Sequence, residues 1–516
     1  MSKPSPTLLD RTVAAISPSK GLKRYAARLQ FNALSGIARE SGGNKGTMGN
    51  WLPRWLNKWS EGRSRAKSQG RARDLVANDP HAASVVDSMA TNSVGTGLQL
   101  QPQPHAASLG WNQEQVDAFQ ADAEWIWQRW CREADARGKL PFWAMQLCCA
   151  HSMLTNGEYF VLPVMLQDGD RDFSLALQMV DPVRLSTPAG KESDPRIRDG
   201  VEMDQNGKPV AYWMANPAKE NFITEINHGY GMDESYYARI SARLGHRPGF
   251  FHSFLPKEPE QVRGVSVLSP AMKFFKDLSD YLDYELVGAI VASSIPVFIE
   301  SQNPEEMFRN IREITEPSGE DEEKVYHQEV EPGQFLYGNT GEKPHVLKND
   351  RPGNTFESFV ERVLRAVGAS VGMPYEVIAK DFSKTNYSSA RAALLEAHRV
   401  YQVYQKWLVD GFCQPVWEMV LEEAFLRGMI PSLADMDVDT FYRRLPALAK
   451  ARWIPPKRGH VDPLKEMNAN LKGLENNIYT LSDVAAEHGT DWRSLLEQRA
   501  KELTYERDKE LRSNEE

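Results

Sequence analysis

The sequence predicts a chain of the α+β class, in which helical and strand-forming segments follow one another and a very long helix comes late. Three observations support this. Apolar residues recur at helical spacing in residues 71–93, 112–132 and 141–154, residues 157–214 alternate in short runs, and a helical pattern of about forty residues begins at Ser388 or Ser389. A chain of 516 residues exceeds what one core usually serves, so two to four structural units are expected.

Charge is unevenly distributed along the chain. Residues 1–73 hold 15 Lys and Arg against 3 Asp and Glu, a balance of +12, whereas the remaining residues hold 46 against 67, a balance of −21. A basic leader on an acidic body is typical of an arm that touches nucleic acid or an acidic surface, and a merely solvated tail fits equally well. Residues 1–60 are therefore predicted to form a flexible basic arm.

Targeting, membrane and metal signals are missing from the sequence. The N-terminus lacks the apolar core of a signal peptide, and the longest apolar stretch, Leu286 to Ile299, is too short and too broken to cross a bilayer of about 30 Å. The sparse cysteines form no C-x-x-C pair, which predicts buried reduced thiols instead of a disulfide frame or zinc site. They are Cys131, Cys148, Cys149 and Cys413.

The first half of the chain has local start and turn signals. Asp79-Pro80 predicts the start of a helix that ends before Gly95 and Gly97, and strand-like alternation follows. The Trp and Phe face of residues 112–132 is expected to belong to the core, not to a base-stacking platform. Asn206-Gly207 predicts a tight hairpin, because these residues readily supply the positive φ angles that such a turn needs.

Residues 270–294 are predicted to form a helix that Pro296 breaks. One apolar stripe is expected along it: Met272, Phe275, Leu278, Leu282, Leu286, Ala289, Ile290 and Ser293. Strands near 297–301, 334–337 and 345–347, a short helix at 305–315 and an acidic loop at 316–323 suggest a compact insertion. A second helix over 356–371 closes it.

The long helix is expected to use Ser388 or Ser389 as its cap, to kink at Pro415 and to stop at Gly428 and Pro431. A Pro-rich connector and at least two polar helices complete the chain. Before the long helix, Gly372 and Pro374 break the preceding helix, because proline lacks the amide that the next turn needs. A small polar loop is therefore held between two helices.

The sequence of this region resembles the sequences of the lambda-type family of phage portal proteins. The resemblance rests on G-x-P-Y at 372–375, D-F-S at 381–383 and N-Y-S-S-x-R at 386–391. Four more segments occur in the expected order, at 73–102, 156–164, 261–272 and 462–469. The resemblance covers most of the chain.

The resemblance implies a homododecameric ring at one capsid vertex, with each subunit built from a wing, a stem, a clip and a crown. The implied regions are a basic arm (1–60), wing (61–262), first stem helix (263–296), clip (297–350), second stem helix (351–372), tunnel-loop region (373–387), long wing helix (388–428) and C-terminal crown (429–516). No cofactor, metal or catalytic group is expected.

Two groups of site residues follow from this reading. A tunnel loop facing the DNA is expected at Lys380, Asp381, Phe382, Ser383, Lys384, Thr385 and Asn386. The alternative is an ordinary surface loop. A clip surface facing the terminase and connector is expected at Glu305, Arg309, Arg312, Glu320, Asp321, Glu322 and Glu323.

The sequence lacks the common enzymatic motifs. The chain has no phosphate-binding G-x-x-x-x-G-K-[ST] loop and no H-E-x-x-H pair, and Gly95-Thr96-Gly97 and the sequence around Ser266 lack the context of a dinucleotide fingerprint or a nucleophile elbow. The best lead is Asp277, Asp280 and Asp283, one helical turn apart. Lys273 and Lys276 lie four residues before two of these aspartates, which favours salt bridges over a metal site.

The expected function is that of a portal through which double-stranded DNA is packaged and ejected without sequence recognition. The resemblance implies as partners further copies of the chain, the terminase large subunit, major capsid and scaffold proteins and a head-tail connector protein, with no membrane. It places the protein in the virion after assembly in the host cytoplasm. Another structural adaptor of the head-tail junction, or a metal-dependent nucleic-acid enzyme using the aspartates, are the alternatives.

Overall fold

The computed structural model of the protein describes residues 12–15, 17–20, 23–24, 61–216, 234–293, 297–300, 335–338, 356–457 and 462–508. The chain divides into two compact units, Met1–Glu61 and Gly62–Glu516. The predicted basic arm, the short helix at 305–315, the acidic loop and the strand near 345–347 lie largely or wholly outside the described residues.

The described residues form a mixture of helices and strands, which agrees with the prediction of a mixed fold. The helices are α1 (Glu61–Asn78), α2 (Pro80–Ser93), α3 (Ala106–Leu109), α4 (Gln113–Arg132), α5 (Phe142–Asn156), α6 (Met272–Ser293), α7 (Phe356–Val371), α8 (Tyr375–Ala379), α9 (Tyr387–Leu408), α10 (Gln414–Leu426), α11 (Val438–Leu448), α12 (Pro463–Glu475), α13 (Leu481–Glu487) and α14 (Trp492–Asp508). The strands are β1 (Gln99–Pro102), β2 (Glu158–Met165), β3 (Leu175–Val180), β4 (Ile197–Arg198), β5 (Val201–Met203), β6 (Pro209–Ala215), β7 (Tyr237–Ser241), β8 (Arg243–Leu244), β9 (Arg247–Pro248), β10 (Phe251–Phe254), β11 (Val297–Glu300), β12 (Phe335–Gly338) and β13 (Ala451–Ile454).

The described strands form small sheets. An antiparallel sheet has the order β10-β2-β3, and a second has the order β4-β5-β6-β7. The β5-β6 hairpin turns at Asn206-Gly207, and Gly207 has a φ of +79°, so the predicted turn is confirmed. Strands β11 and β12 pair in parallel within the predicted insertion. Strand β1 pairs with β13, which lies about 350 residues later, with Gln99 opposite Ile454.

A single large core joins the first helices to the C-terminal half of the long helix. Trp127 packs against Trp130, Phe142, Trp417 and Trp453, with ring centroids 5.1–5.7 Å apart. This confirms that the aromatic face of α4 belongs to the core. A smaller cluster lies between the two antiparallel sheets, around Phe160, Tyr212 and Phe250.

The start of α2 is confirmed in detail. The Asp79 carboxylate accepts hydrogen bonds from the backbone N–H groups of His81 and Ala82, and Pro80 occupies the first helical position. An aspartate cap of this kind stabilises a helix by about 1 kcal/mol.

The apolar stripe of α6 is only partly covered, and the prediction that the cysteines are buried is partly wrong. Only the first half of the α6 stripe is buried, at Phe275 and Leu278, whereas Leu286 and Ile290 are 61% and 52% exposed. Helical periodicity identifies a common face but not what covers it. Cys149 and Cys413 are buried free thiols, whereas Cys148 is exposed and Cys131 is partly buried.

The long helix begins differently from its prediction and stops where expected. Its cap is Asn386, not Ser388 or Ser389, because the Asn386 side chain accepts a hydrogen bond from the Ser389 amide while the Ser389 hydroxyl accepts one from the Asn386 amide. One π-helical turn at Val409–Cys413 lies just before Pro415, where a kink was expected, and the backbone stays helical through it. The helix then ends at Leu426, just before Gly428.

Candidate functional site

The predicted tunnel loop follows a short helix that the sequence did not reveal. Helix α7 ends at Gly372, with a φ of +74°, and Pro374 then begins the one-turn helix α8. Lys380 ends α8 in the left-handed region, with a φ of +53°, which is uncommon for a side chain other than glycine or asparagine. The left-handed conformation of Lys380 therefore ends α8 and begins the loop.

Internal hydrogen bonds shape the loop between the two helices. The Asp381 carboxylate accepts from the Ser383 amide at 2.9 Å, and the Thr385 hydroxyl donates to the Phe382 carbonyl at 2.8 Å. The bonds from Ser383 lower the pKa of Asp381. Asn386 then begins α9 with its reciprocal cap. The fold thus brings the seven predicted loop residues together as one compact turn.

Most of the loop faces solvent. Phe382 is 43% exposed, and Lys380, Ser383, Lys384 and Asn386 are also exposed, whereas Asp381 and Thr385 are partly covered. An exposed phenylalanine beside a lysine and two hydroxyl or amide groups can contact a phosphate backbone without reading base edges.

The ammonium of Lys384 is engaged by helix α7. Its Nζ lies 2.7 Å from a Glu357 carboxylate oxygen and 3.5 Å from one of Glu361. The hydrogen bond to Glu357 raises the pKa of Lys384, so the lysine is charged at neutral pH. Glu361 also accepts a bond of 2.6 Å from Arg365, whose guanidinium lies 5.7 Å from the centre of the Tyr375 ring.

The other predicted residues of interest lie in the clip and on helix α6. The clip residues Glu305, Arg309, Arg312, Glu320, Asp321, Glu322 and Glu323 lie outside the described residues. On α6, Lys276 and Asp280 form the expected i,i+4 ion pair at 2.5 Å. Within the described part of the chain, no group of three or more His, Cys, Asp or Glu side chains is placed to hold a metal ion.

A buried charge cluster is the main feature that the sequence analysis missed. Glu158 is fully buried at the start of β2, and Arg263 donates to it from Nη2 at 2.6 Å. His252 and the Gly264 amide also bond this carboxylate, at 3.1 and 3.0 Å, and Arg65 lies 3.5 Å away. Burial alone would raise the pKa of Glu158, but Arg263, His252 and Arg65 hold it well below its usual range.

Two glycines allow this cluster to form. A Cβ on Gly264 would lie 2.0 Å from the carbonyl oxygen of Gly157, and one on Gly157 would lie 2.3 Å from the backbone of Val265. The backbones of the two segments therefore touch directly. Both glycines belong to segments that carry part of the family resemblance, at 156–164 and 261–272. The buried charge cluster gives a physical reason for the residues found there.

Residues 47–405 match the family model for the phage portal protein, lambda family. The portal protein of Escherichia phage N15 is 26% identical over 85% of this chain and 84% of its own, and portal protein B of Escherichia phage lambda is 26% identical over 84% and 83%. The probable portal protein of Halomonas phage phiHAP-1 is 24% identical over 82% and 77%.

Solved structures similar to this chain come from gene transfer agent particles. A chain in the virion of the native particle is 13% identical, with a TM-score of 0.37 over 85% of this chain and 94% of that chain. A chain in the neck of the native particle, computed with C12 symmetry, is 13% identical with a TM-score of 0.36 over 87% and 96%. The family match, which spans more than half of the sequence, decides the assignment: this chain belongs to the lambda family of phage portal proteins.

Proposed function

We propose that copies of this chain close into a ring at one vertex of a phage capsid and that double-stranded DNA passes through the ring during packaging and ejection. The proposal is supported by membership of the portal family and by relatives described as portal proteins. In this role the chain is a structural component of the virion with no catalytic activity of its own. None of the described helices is long and apolar enough to cross a bilayer.

The observation that carries the DNA-facing part of the proposal is the loop 380–386. It lies inside the matched range, it is clamped between α8 and a capped helix α9, and it exposes Phe382 and Lys384 on a turn that helices hold on both sides. A ring repeats such a turn around its axis. We place these seven residues at the narrowest part of the channel.

The family resemblance and the fold support a division of the subunit. We assign residues 61–262 and the long wing helix 388–428 to the wing, residues 263–296 and 351–372 to the stem, and residues 297–350 to the clip. The tunnel-loop region is 373–387. Helices α6 and α7 of the stem meet through Tyr281, whose ring lies 5.7 Å from Phe356 and 5.0 Å from Phe359.

The start of the crown needs revision within this proposal. Residues after 429 were expected to form a separate crown, but Phe441 and Leu448 are buried in the large core and β13 pairs with β1. We therefore assign residues 429–454 to the wing and begin the crown after Ile454, where α12, α13 and α14 carry many exposed side chains.

The proposed partners follow from the position of a portal. The clip residues named above would face the terminase large subunit during packaging and a head-tail connector protein afterwards, and the outer surface of the ring would face major capsid and scaffold proteins. Contact with DNA is expected to be independent of sequence. Each neutralised phosphate adds affinity through counterion release, so a net acidic body suits a channel through which DNA must slide.

Deletion of residues 380–386 tests this function. Rings should still form, as seen by electron microscopy of the purified chain, because the loop contributes little to the core. The amount of DNA packaged or retained should fall. Unchanged packaging by rings that lack the loop would remove these residues from the channel, and a monomeric wild-type chain under all conditions would contradict the ring itself.

A further inference from the structure

One of the two lysines of the tunnel loop, Lys384, is already paired in this structure. Lys384 is 56% exposed, yet its ammonium is shared between Glu357, which is 79% exposed, and Glu361, which is 15% exposed. A phosphate oxygen would have to approach the same ammonium. Contact with DNA and contact with α7 therefore compete for Lys384.

Glu361 connects both ends of the loop to α7. Its carboxylate accepts from Arg365 at 2.6 Å and lies 3.5 Å from Lys384 near the end of the loop. Arg365 in turn lies over Tyr375, whose hydroxyl is 3.4 Å from the Asp381 carboxylate at the start of the loop. A chain of contacts thus runs from Lys384 through α7 and α8 back to Asp381.

We propose that Glu361 is a positioning residue that fixes the loop against α7, and that Glu357 is an exchangeable partner which a DNA phosphate replaces on Lys384. The proposal rests on the proposed function, because it assumes that the loop faces DNA. No bond is made or broken covalently and no proton moves: one anionic oxygen leaves the ammonium and another takes its place. The partly covered Glu361 keeps the loop in place, while the exposed Glu357 is displaced.

This exchange weakens the binding of each subunit to DNA but keeps the contact between Lys384 and a phosphate. An exposed ion pair contributes little and is screened by salt, so its loss to a competing phosphate is readily reversible. A loop that must give up one partner to gain another holds each phosphate only briefly. That behaviour suits a duplex moving through the ring.

A double-mutant cycle on assembled full-length rings tests the exchange. Retention of a short double-stranded DNA is measured at fixed salt for Glu357→Gln, Lys384→Gln and the double variant. Freeing Lys384 should raise the affinity of Glu357→Gln about twofold to fourfold, the range of an exposed pair. Lys384→Gln should lower affinity, and adding Glu357→Gln to it should change nothing.

The matched control is Glu396→Gln on α9. Glu396 is also exposed and paired, with Arg399 at 3.0 Å, so its substitution removes the same charge without freeing Lys384. DNA affinity should not rise in this variant. An equal gain from Glu357→Gln and Glu396→Gln, or a gain from Glu357→Gln that persists without Lys384, would show a general effect of charge and overturn the exchange.

The role of Glu361 is tested separately without DNA. Hydrogen exchange at the amides of Ser383 and Thr385, which are bonded within the loop, should be several-fold faster in Glu361→Gln than in wild type. Glu361→Asp should restore much of the protection, because it keeps the anion. Equal exchange in Glu361→Gln and wild type would overturn the positioning role. Lys384→Gln rings that bound DNA as well as wild type would overturn the exchange, whereas the proposed function fails only if deletion of residues 380–386 leaves packaging unchanged or no ring forms.

Discussion

Glu158 and its partners show how single residues hold this fold together. The carboxylate accepts bonds from Arg263, His252 and the Gly264 amide, so every side of a fully buried charge is satisfied. We expect Glu158→Gln to lower the free energy of unfolding by about 3–5 kcal/mol, because two buried arginines, Arg263 and Arg65, would then share Asp199 as their carboxylate partner. Urea unfolding followed by circular dichroism measures this.

Glu202→Gln is the matched control for that substitution. Glu202 pairs with Arg239 at 2.8 Å, but Arg239 is 45% exposed, so the loss should be at most about 1 kcal/mol. If both substitutions lowered the free energy of unfolding equally, burial would not make the Glu158 pair more important for stability than the exposed pair.

His252 gives the cluster a dependence on pH. Burial lowers the pKa of His252 in the folded protein, although Glu158 opposes the shift. Below about pH 6.5 the unfolded chain therefore binds a proton at this histidine that the folded chain does not bind. The free energy of unfolding then falls as the pH drops below about 6.5, by up to ~1.4 kcal/mol per pH unit. Urea midpoints between pH 7.5 and 5.5 should fall less in His252→Asn than in wild type. An unchanged slope would exclude His252 as the source.

At the scale of the elements, two glycines can be compared. One lies where two backbone segments approach closely, and the other does not. Gly264→Ala places a Cβ 2.0 Å from the Gly157 carbonyl oxygen, so the two segments must move apart. A loss of about 1–3 kcal/mol or more is expected. Gly70→Ala within α1 meets no atom within 4 Å and should raise stability by about 0.5–1 kcal/mol. Thermal unfolding of both variants distinguishes them, and a stabilising Gly264→Ala would contradict the observed contact.

Local sequence signals predicted many of these elements, and distant contacts explain the rest. Asp79-Pro80 and Asn206-Gly207 act on their own neighbours, so the start of α2 and the β5-β6 turn followed directly from the sequence. Strand β13 pairs with a strand about 350 residues away, and no local pattern marks that pairing. The tunnel loop was predicted from its resemblance to a family, whereas the hold of Glu357 and Glu361 on Lys384 depends on the angle between α7 and α9.

At the scale of the whole molecule, the described residues include several exposed large apolar side chains, and contiguous ones can mark surfaces that other proteins cover. One set forms a stripe along α12: Leu464 (73% exposed), Met467 (65%) and Leu471 (51%). If the proposed ring forms, copies should cover such faces. We expect Met467→Lys to shift assembled rings toward smaller species in mass photometry, with the circular dichroism spectrum unchanged.

Leu244→Lys, at the exposed β8-β9 turn, is the control for the α12 substitution. It introduces the same charge at another exposed leucine and should leave the distribution of species as it is. Intact rings in Met467→Lys, or equal loss in both variants, would show that the α12 stripe has no particular part in assembly.

The π-helical turn at Val409–Cys413 has a mechanical consequence. Phe412, within it, is buried against Phe142, Tyr159 and Phe251, so this end of the long helix is anchored. The 22 residues of α9 extend from that anchor to the loop, a span of about 33 Å. Ala397 and Tyr401 also hold the C-terminal part of α9 in the core, so a small tilt of that part moves the N-terminal end of the helix by a larger distance. If the loop lines the channel as we propose, the aromatic packing around Phe412 would therefore influence the width of the opening.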